Sequence, residues 1–108
     1  MARMSAEKIA RFAALAEKDP ANPLHRFALA QACLAAGDFT AAEDAFARCL
    51  QLKPDWLVAA IKRGRCLIEL RRWDEARASL ELAGDLAQKQ GHDEPWAEIR
   101  ELMAQLPD

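Results

Sequence analysis

The chain repeats itself with a period of about 34 residues. Periods of 20 to 50 residues are typical of repeat proteins, in which one supersecondary unit recurs and stacks on its neighbours. The period therefore restricts this chain to stacked copies of a single unit. The positions that recur one period apart are aromatic, proline or alanine: Phe12 and Phe46, Pro20 and Pro54, Phe39 and Trp73, and Ala42 and Ala76.

The composition predicts that the repeated unit is helical. Ala, Leu, Glu and Arg dominate the sequence, and these residues lose least on entering a helix. No stretch shows the period-two alternation of a half-buried strand. The connections are short, which favours antiparallel neighbours. We expect about six helices, at residues 5–18, 22–36, 40–52, 55–70, 74–90 and 93–106.

Several helix ends have recognisable signals. Asn22 is a favoured N-cap, and Pro23 fits the first turn because its missing N–H costs nothing there. Gly37 is predicted to be the left-handed stop of the second helix. Thr40 and Glu43 have the spacing of a capping box, in which each side chain accepts a hydrogen bond from the other residue's backbone.

The recurring positions resemble those of the tetratricopeptide repeat family. Its helix–turn–helix unit has the same period and the pattern W-x2-L-G-x2-Y…A-x3-F…P. The first copy here reads Arg26-x2-Leu29-Ala30-x2-Cys33, then Ala42-x3-Phe46, then Pro54. The second copy reads Ala60-x2-Arg63-Gly64-x2-Leu67, then Ala76-x3-Leu80, with Gln88 in place of the proline. Neither copy has the early tryptophan, and Arg63 replaces a leucine.

The resemblance implies an all-α, tetratricopeptide-like solenoid of antiparallel helix–turn–helix units in a single domain. Small residues such as Ala30 and Ala42 would let paired helices approach, and Phe46 or Leu80 would fill the space between units. The predicted parts are a leading half repeat at 5–20, whole repeats at 22–54 and 55–90, and a C-terminal capping helix at 93–106.

In the family that this chain resembles, the first helix of each unit lines a concave groove that binds peptides or helices. We therefore expect a protein-interaction module, with Phe27, Leu34 and Ile61 as apolar anchors. The full set of predicted partner-binding residues is Leu24, Phe27, Gln31, Leu34, Val58, Ile61, Lys62 and Arg65.

Other uses of these surfaces stay open. The chain's own ends or a second copy could fill the groove. The carboxylates of Glu94, Glu98 and Glu101 could also pair with Lys62 and Arg65. A homodimer could form through Leu102 and Leu106, which are expected to be exposed beside Trp96. The basic stretch 62–72 is the only candidate footprint for nucleic acid, and the net charge of −2 and the absence of interleaved aromatic residues argue against that partner.

The sequence predicts no catalytic, metal or cofactor site. His25 and His92 lack ligand spacing with any cysteine, and a zinc site needs three or four convergent ligands. Glycine-rich phosphate loops, G-x-S-x-G and H-E-x-x-H are all missing from the sequence. We therefore expect a chain that is not an enzyme.

The cellular setting is predicted from the cysteines and the hydropathy. Three cysteines without close pairs argue against a disulfide framework and for a reducing compartment. No segment approaches the roughly 20 apolar residues that span a bilayer. We expect a cytoplasmic protein without a membrane partner.

Overall fold

The computed structural model describes the backbone of residues 2–108 and the side chains of residues 5–108. This part of the chain forms six α-helices and contains no strand, which confirms the all-α prediction. Among the described residues, no helix combines the length and the hydropathy that a membrane-spanning segment needs. The helices are α1 (Ala2–Lys18), α2 (Pro23–Ala35), α3 (Phe39–Leu52), α4 (Leu57–Glu69), α5 (Trp73–Gln90) and α6 (Pro95–Ala104).

The six helices pack consecutively, as expected for a helical repeat solenoid. Each described helix lies against the next one along the chain, and α6 also contacts α4. The resulting body measures 37 × 26 × 22 Å. Two buried clusters form the core, one around Phe46 between α2, α3 and α4, and one around Leu80 between α4, α5 and α6.

Small residues bring the paired helices close together, as the sequence predicts. Ala30 of α2 and Ala42 of α3 are both fully buried in the first cluster. In the second cluster, a Cβ atom added to Gly64 of α4 would lie only 2.7 Å from Cδ2 of Leu80 in α5. The recurring alanine and glycine positions therefore mark the seams between paired helices.

The turn inside each helix pair has the same backbone form. Gly37, between α2 and α3, has a φ of 78°, and Arg71, between α4 and α5, has a φ of 58°. The two residues are one repeat period apart, so the repeat extends to the turn conformation. Arg71 adopts a left-handed conformation that glycine tolerates far better.

Of the two predicted N-terminal caps, the structure confirms one and corrects the other. Asn22 accepts a hydrogen bond from the backbone N–H of Leu24, as expected for an N-cap. The predicted capping box of Thr40 and Glu43 is wrong. Asp38 is the N-cap of α3 instead, because its Oδ1 accepts the N–H of Ala41 at 3.1 Å and the helix begins before Thr40.

Candidate functional site

The eight residues predicted to bind a partner fall into three groups by exposure. Leu24, Gln31, Val58 and Arg65 are exposed. Phe27, Leu34 and Lys62 are half-buried, and Ile61 is buried. Exposure alone therefore removes one of the eight from any accessible surface.

Ile61 is not the exposed apolar anchor that the sequence predicts. Its exposed fraction is 5%, and it belongs to the same buried cluster as Ile99 and Leu102 of α6. Helical spacing places Ile61 on an apolar face, but α6 packs against α4 and closes the core there. That part of the predicted groove is core.

Phe27 also has a packing role. Its ring stacks on Trp56 at a centroid distance of 4.6 Å and meets the edge of Phe46 at 5.7 Å. These contacts join α2 to α3 and to the residue that caps α4. Leu34 packs against the same cluster. The two residues hold successive helices together and offer a partner only their exposed edges.

The residues that stay accessible occupy equivalent positions on α2 and α4. Leu24 and Val58 are 66% and 44% exposed and lie one repeat period apart. Gln31 and Arg65, also one period apart, are exposed two helical turns further along. We call these four residues and the half-buried Lys62 the groove face.

The charges of the basic stretch 62–72 divide into paired and unpaired groups. Arg63 and Arg72 bind the buried carboxylate of Glu43 at 3.1 and 3.4 Å. Arg72 also binds Glu75 at 2.6 Å, and this hydrogen bond raises the pKa of Arg72 and lowers the pKa of Glu75. Those two arginines therefore link α3 to α4 and α5, and they are not part of an open cationic patch.

Lys62 and Arg65 make no ion pair in the part of the chain that the structure describes. The expected alternative, in which Glu94, Glu98 and Glu101 neutralise them, is not observed among these residues. No carboxylate of the described residues therefore neutralises their positive charges. A lysine and an arginine supply hydrogen-bond donors only, so they suit carbonyl or carboxylate oxygens.

The predicted dimer contact is also corrected. Leu102 and Leu106 have exposed fractions of 7% and 8%, and both belong to the buried cluster around Leu80. The half-buried Trp96 packs against the same cluster. Leu102 in α6 and Leu106, just after α6, both pack into this cluster with residues of α4 and α5, so they do not offer an apolar surface to a second copy.

The sequence reasoning missed an open cleft between α1 and α2. Its volume is about 580 Å³. Among the predicted binding residues, only Gln31 lines it. A signal was available, because Lys8 and Arg11 of α1 fall on Ala42 and Ala45 of α3 when the chain is shifted by one repeat period. The lining residues are Ser5, Glu7, Lys8, Arg11, Phe12, Ala28, Gln31, Ala32 and Ala35.

The three cysteines are free and buried. Burial raises the pKa of Cys33 and raises the pKa of Cys49 and of Cys66 to about 11. The thiols are therefore protonated at neutral pH and are poor nucleophiles. Among the described side chains, no three His, Cys, Asp or Glu residues lie close enough together to hold a metal ion.

The family follows from one further observation. A sequence profile described as Tetratricopeptide repeat matches residues 34–106, which is more than half of the chain. The chain belongs to the tetratricopeptide repeat family. A search of curated proteins found no significant match. Tetratricopeptide repeats generally act as protein–protein interaction modules and are typically not catalytic.

Proposed function

We propose that this tetratricopeptide repeat protein binds a peptide or short helix of a partner protein on the groove face of α2 and α4. The observation that carries the proposal is the recurrence of exposed residues at equivalent positions of two stacked helices. Leu24 and Val58 supply an apolar pair, and Gln31 and Arg65 supply a polar pair. A surface that repeats in this way suits an elongated ligand.

The side chains of the groove face indicate which class of ligand it would bind. Exposed apolar side chains as large as Leu24 and Val58 favour contact with apolar side chains of a partner. Lys62 and Arg65 have no acidic partner within the described chain, and a charge-assisted hydrogen bond is about twice as strong as a neutral one. The best ligand is therefore an apolar segment that carries a carboxylate.

The proposed role is non-catalytic binding in the cytoplasm. The three free, protonated thiols suit a reducing compartment and supply no nucleophile at neutral pH. Two of the arginines that would form a nucleic-acid footprint are held by carboxylates. A protein segment is therefore favoured over a nucleic acid as the ligand.

The test compares two charge-matched variants after a partner has been captured and its bound segment synthesised. Lys62→Ala with Arg65→Ala removes the free charges of the groove face. Arg48→Ala with Lys89→Ala removes the same charge from α3 and α5. Isothermal titration should show at least a tenfold weaker Kd for the first variant, which corresponds to about 1.4 kcal/mol, and less than a twofold change for the second.

Circular dichroism should show that both double variants keep the helical content of the parent, because all four alanines favour helix. The proposal fails if the two variants bind the captured segment equally well. It also fails if the loss appears only in the α3 and α5 variant, since the partner would then lie on the other face of the helix pairs.

A further inference from the structure

At the cleft between α1 and α2, charged residues replace the small residues that the later repeats have at equivalent positions. α1 carries Phe12 at the position of Phe46 in α3, so the two helices are equivalent in the repeat. The seam positions of α3 are the buried residues Ala42 and Ala45, and those of α5 are the buried residues Ala76 and Ser79. α1 has the exposed residues Lys8 and Arg11 at these positions.

Elsewhere in the chain, a helix fills the equivalent space. In the next pair, formed by α3 and α4, the helix α2 lies against α3. Phe46 of α3 and Cys66 of α4 are completely buried in the cluster that the three helices form. The equivalent residues at the first pair are Phe12 and Ala32, and both line the open cleft. Phe12 is only half-buried. Ala32 is buried, but the lining residues Phe12 and Ala28 are half-buried and Ala35 is exposed, so the described residues leave the apolar floor of the cleft partly uncovered.

A helix of the repeat's own type does not fit this cleft. The close approach of α2 to α3 depends on small residues on both helices, such as Ala30 against Ala42. Lys8 stands at the position of Ala42 and holds a neighbouring backbone away. The cationic side chains also have to be neutralised by whatever covers them, because an unpaired buried charge is costly.

A second copy stacked end to end is disfavoured as well. In that arrangement α6 of one copy would enter the α1–α2 cleft of the next. The repeat pattern aligns Ile99 of α6 with Arg63 of α4. Arg100 therefore occupies the seam position that Gly64 has in α4. It would meet Lys8, and a close contact between like charges opposes binding.

The rim of the cleft carries two cationic side chains, Lys8 and Arg11. Lys8 and Arg11 are three residues apart on a helix, so their side chains are neighbours, with Cβ atoms about 5–6 Å apart. Neither makes an ion pair in the described part of the chain. The guanidinium of Arg11 lies 5.6 Å from the centre of the Phe12 ring, which holds its charge beside the apolar floor. Glu7 is the one acidic lining residue, and it has interactions of its own.

We propose that the α1–α2 cleft binds an acidic amphipathic segment of a partner protein. Apolar side chains of the segment cover Phe12, Ala28 and Ala35, and its carboxylates pair with Lys8 and Arg11. The inference rests on the proposed function, because the ligand is again a protein segment, but the surface is a different one. Gln31 lines the cleft and belongs to the groove face, so the two surfaces adjoin.

The test uses three fluorescein-labelled peptides about four helical turns long, with leucine at every third or fourth position and glutamate, glutamine or lysine elsewhere. Fluorescence anisotropy is measured at low salt for the parent protein and three double variants. Lys8→Ala with Arg11→Ala changes the cleft, and Lys62→Ala with Arg65→Ala changes the groove face. Arg48→Ala with Lys89→Ala is the charge-matched control.

The glutamate peptide should bind the parent, and the cleft variant should weaken this binding at least tenfold, with less than a twofold change in the control. The glutamine and lysine peptides should bind at least tenfold more weakly than the glutamate peptide. Alanine is the residue that α3 has at these positions, so the cleft variant should keep its helical circular dichroism signal.

Three outcomes overturn the inference. If only the groove-face variant loses the glutamate peptide, the cleft is not the site, whereas the proposed function gains support. If the parent binds none of the peptides, the cleft has no affinity for acidic segments, and the groove face keeps its separate test with the captured partner. If an oligothymidylate of equal charge displaces the glutamate peptide equally well, the cleft is a general anion site.

Discussion

The two helical glycines that face large side chains are expected to respond in opposite ways to alanine. A Cβ at Gly64 would lie 2.7 Å from Cδ2 and 2.8 Å from Cγ of Leu80. Leu80 is fully buried, and its Cγ cannot move without the whole side chain. Overpacking of this kind costs about 1–3 kcal/mol. Alanine recovers about 1 kcal/mol of helix propensity. We expect Gly64→Ala to lower the free energy of unfolding by about 1 kcal/mol.

Gly84 provides the matched comparison inside α5. A Cβ there would lie 3.4 Å and 3.5 Å from two ring carbons of Trp96, which is ordinary van der Waals contact. Only the helix-propensity term then applies, and Gly84→Ala should raise the free energy of unfolding by about 0.5–1 kcal/mol. For a domain near this size, 1 kcal/mol corresponds to a change in Tm of about 4–8 °C.

The assay is urea denaturation followed by circular dichroism, with the midpoint compared at constant m value. A third variant isolates the clash. In a Leu80→Ala background the contact is gone, so adding Gly64→Ala should now stabilise the protein. The reasoning is refuted if Gly64→Ala and Gly84→Ala shift the midpoint in the same direction, or if the Leu80→Ala background leaves the sign unchanged.

The remaining predictions concern the core, the buried carboxylate and the thiols. Phe46→Ala should lower the free energy of unfolding by about 3–5 kcal/mol in the same assay, because a fully buried aromatic ring is lost; a loss below about 1 kcal/mol would contradict its place in the core. Glu43→Gln should cost about 1–3 kcal/mol by leaving two arginines without their buried carboxylate, whereas the exposed control Asp44→Asn should change little. Cys49 and Cys66 should react with a disulfide reagent at pH 8 about 100-fold more slowly than free cysteine, because their pKa of about 11 keeps them protonated. The same shift means that the unfolded chain releases these protons first, so stability should fall as pH rises above about 9; a flat profile there would contradict the raised pKa values.

The fold was predictable because the period and the residue sizes agree. The buried positions of the first helix pair recur one period later with residues of similar size. Gly64, Ala76 and Leu80 take the places of Ala30, Ala42 and Phe46. The N-cap of α3 was harder to predict, because two residues near its start are suitable. Asp38 and Thr40 are both good N-cap residues, and only the start of α3 decides between them. Glu43 was misassigned because its partners lie far along the chain: Arg63 is in α4, and Arg72 directly precedes α5.

The candidate site was predictable in part. Periodicity along α4 identifies Ile61 as apolar, but it does not say that α6 covers it. The same limit applies to Phe27, whose partner Trp56 lies beyond the next helix. Burial of these residues depends on how helices far apart in sequence stack, which a single helical pattern does not contain. Leu24 and Val58 can be identified as the apolar residues that stay exposed only once that stacking is known.

The most direct test of the binding role is a backbone amide NMR titration with the segment of the captured partner. Partner contact along the first helices of the pairs predicts chemical-shift changes that cluster on α2 and α4 and extend to α1 if the cleft is also filled. The amides of α3 and α5 that face away from these helices should stay unchanged. Changes confined to α3 and α5, with α2 and α4 unaffected, would contradict the proposed function.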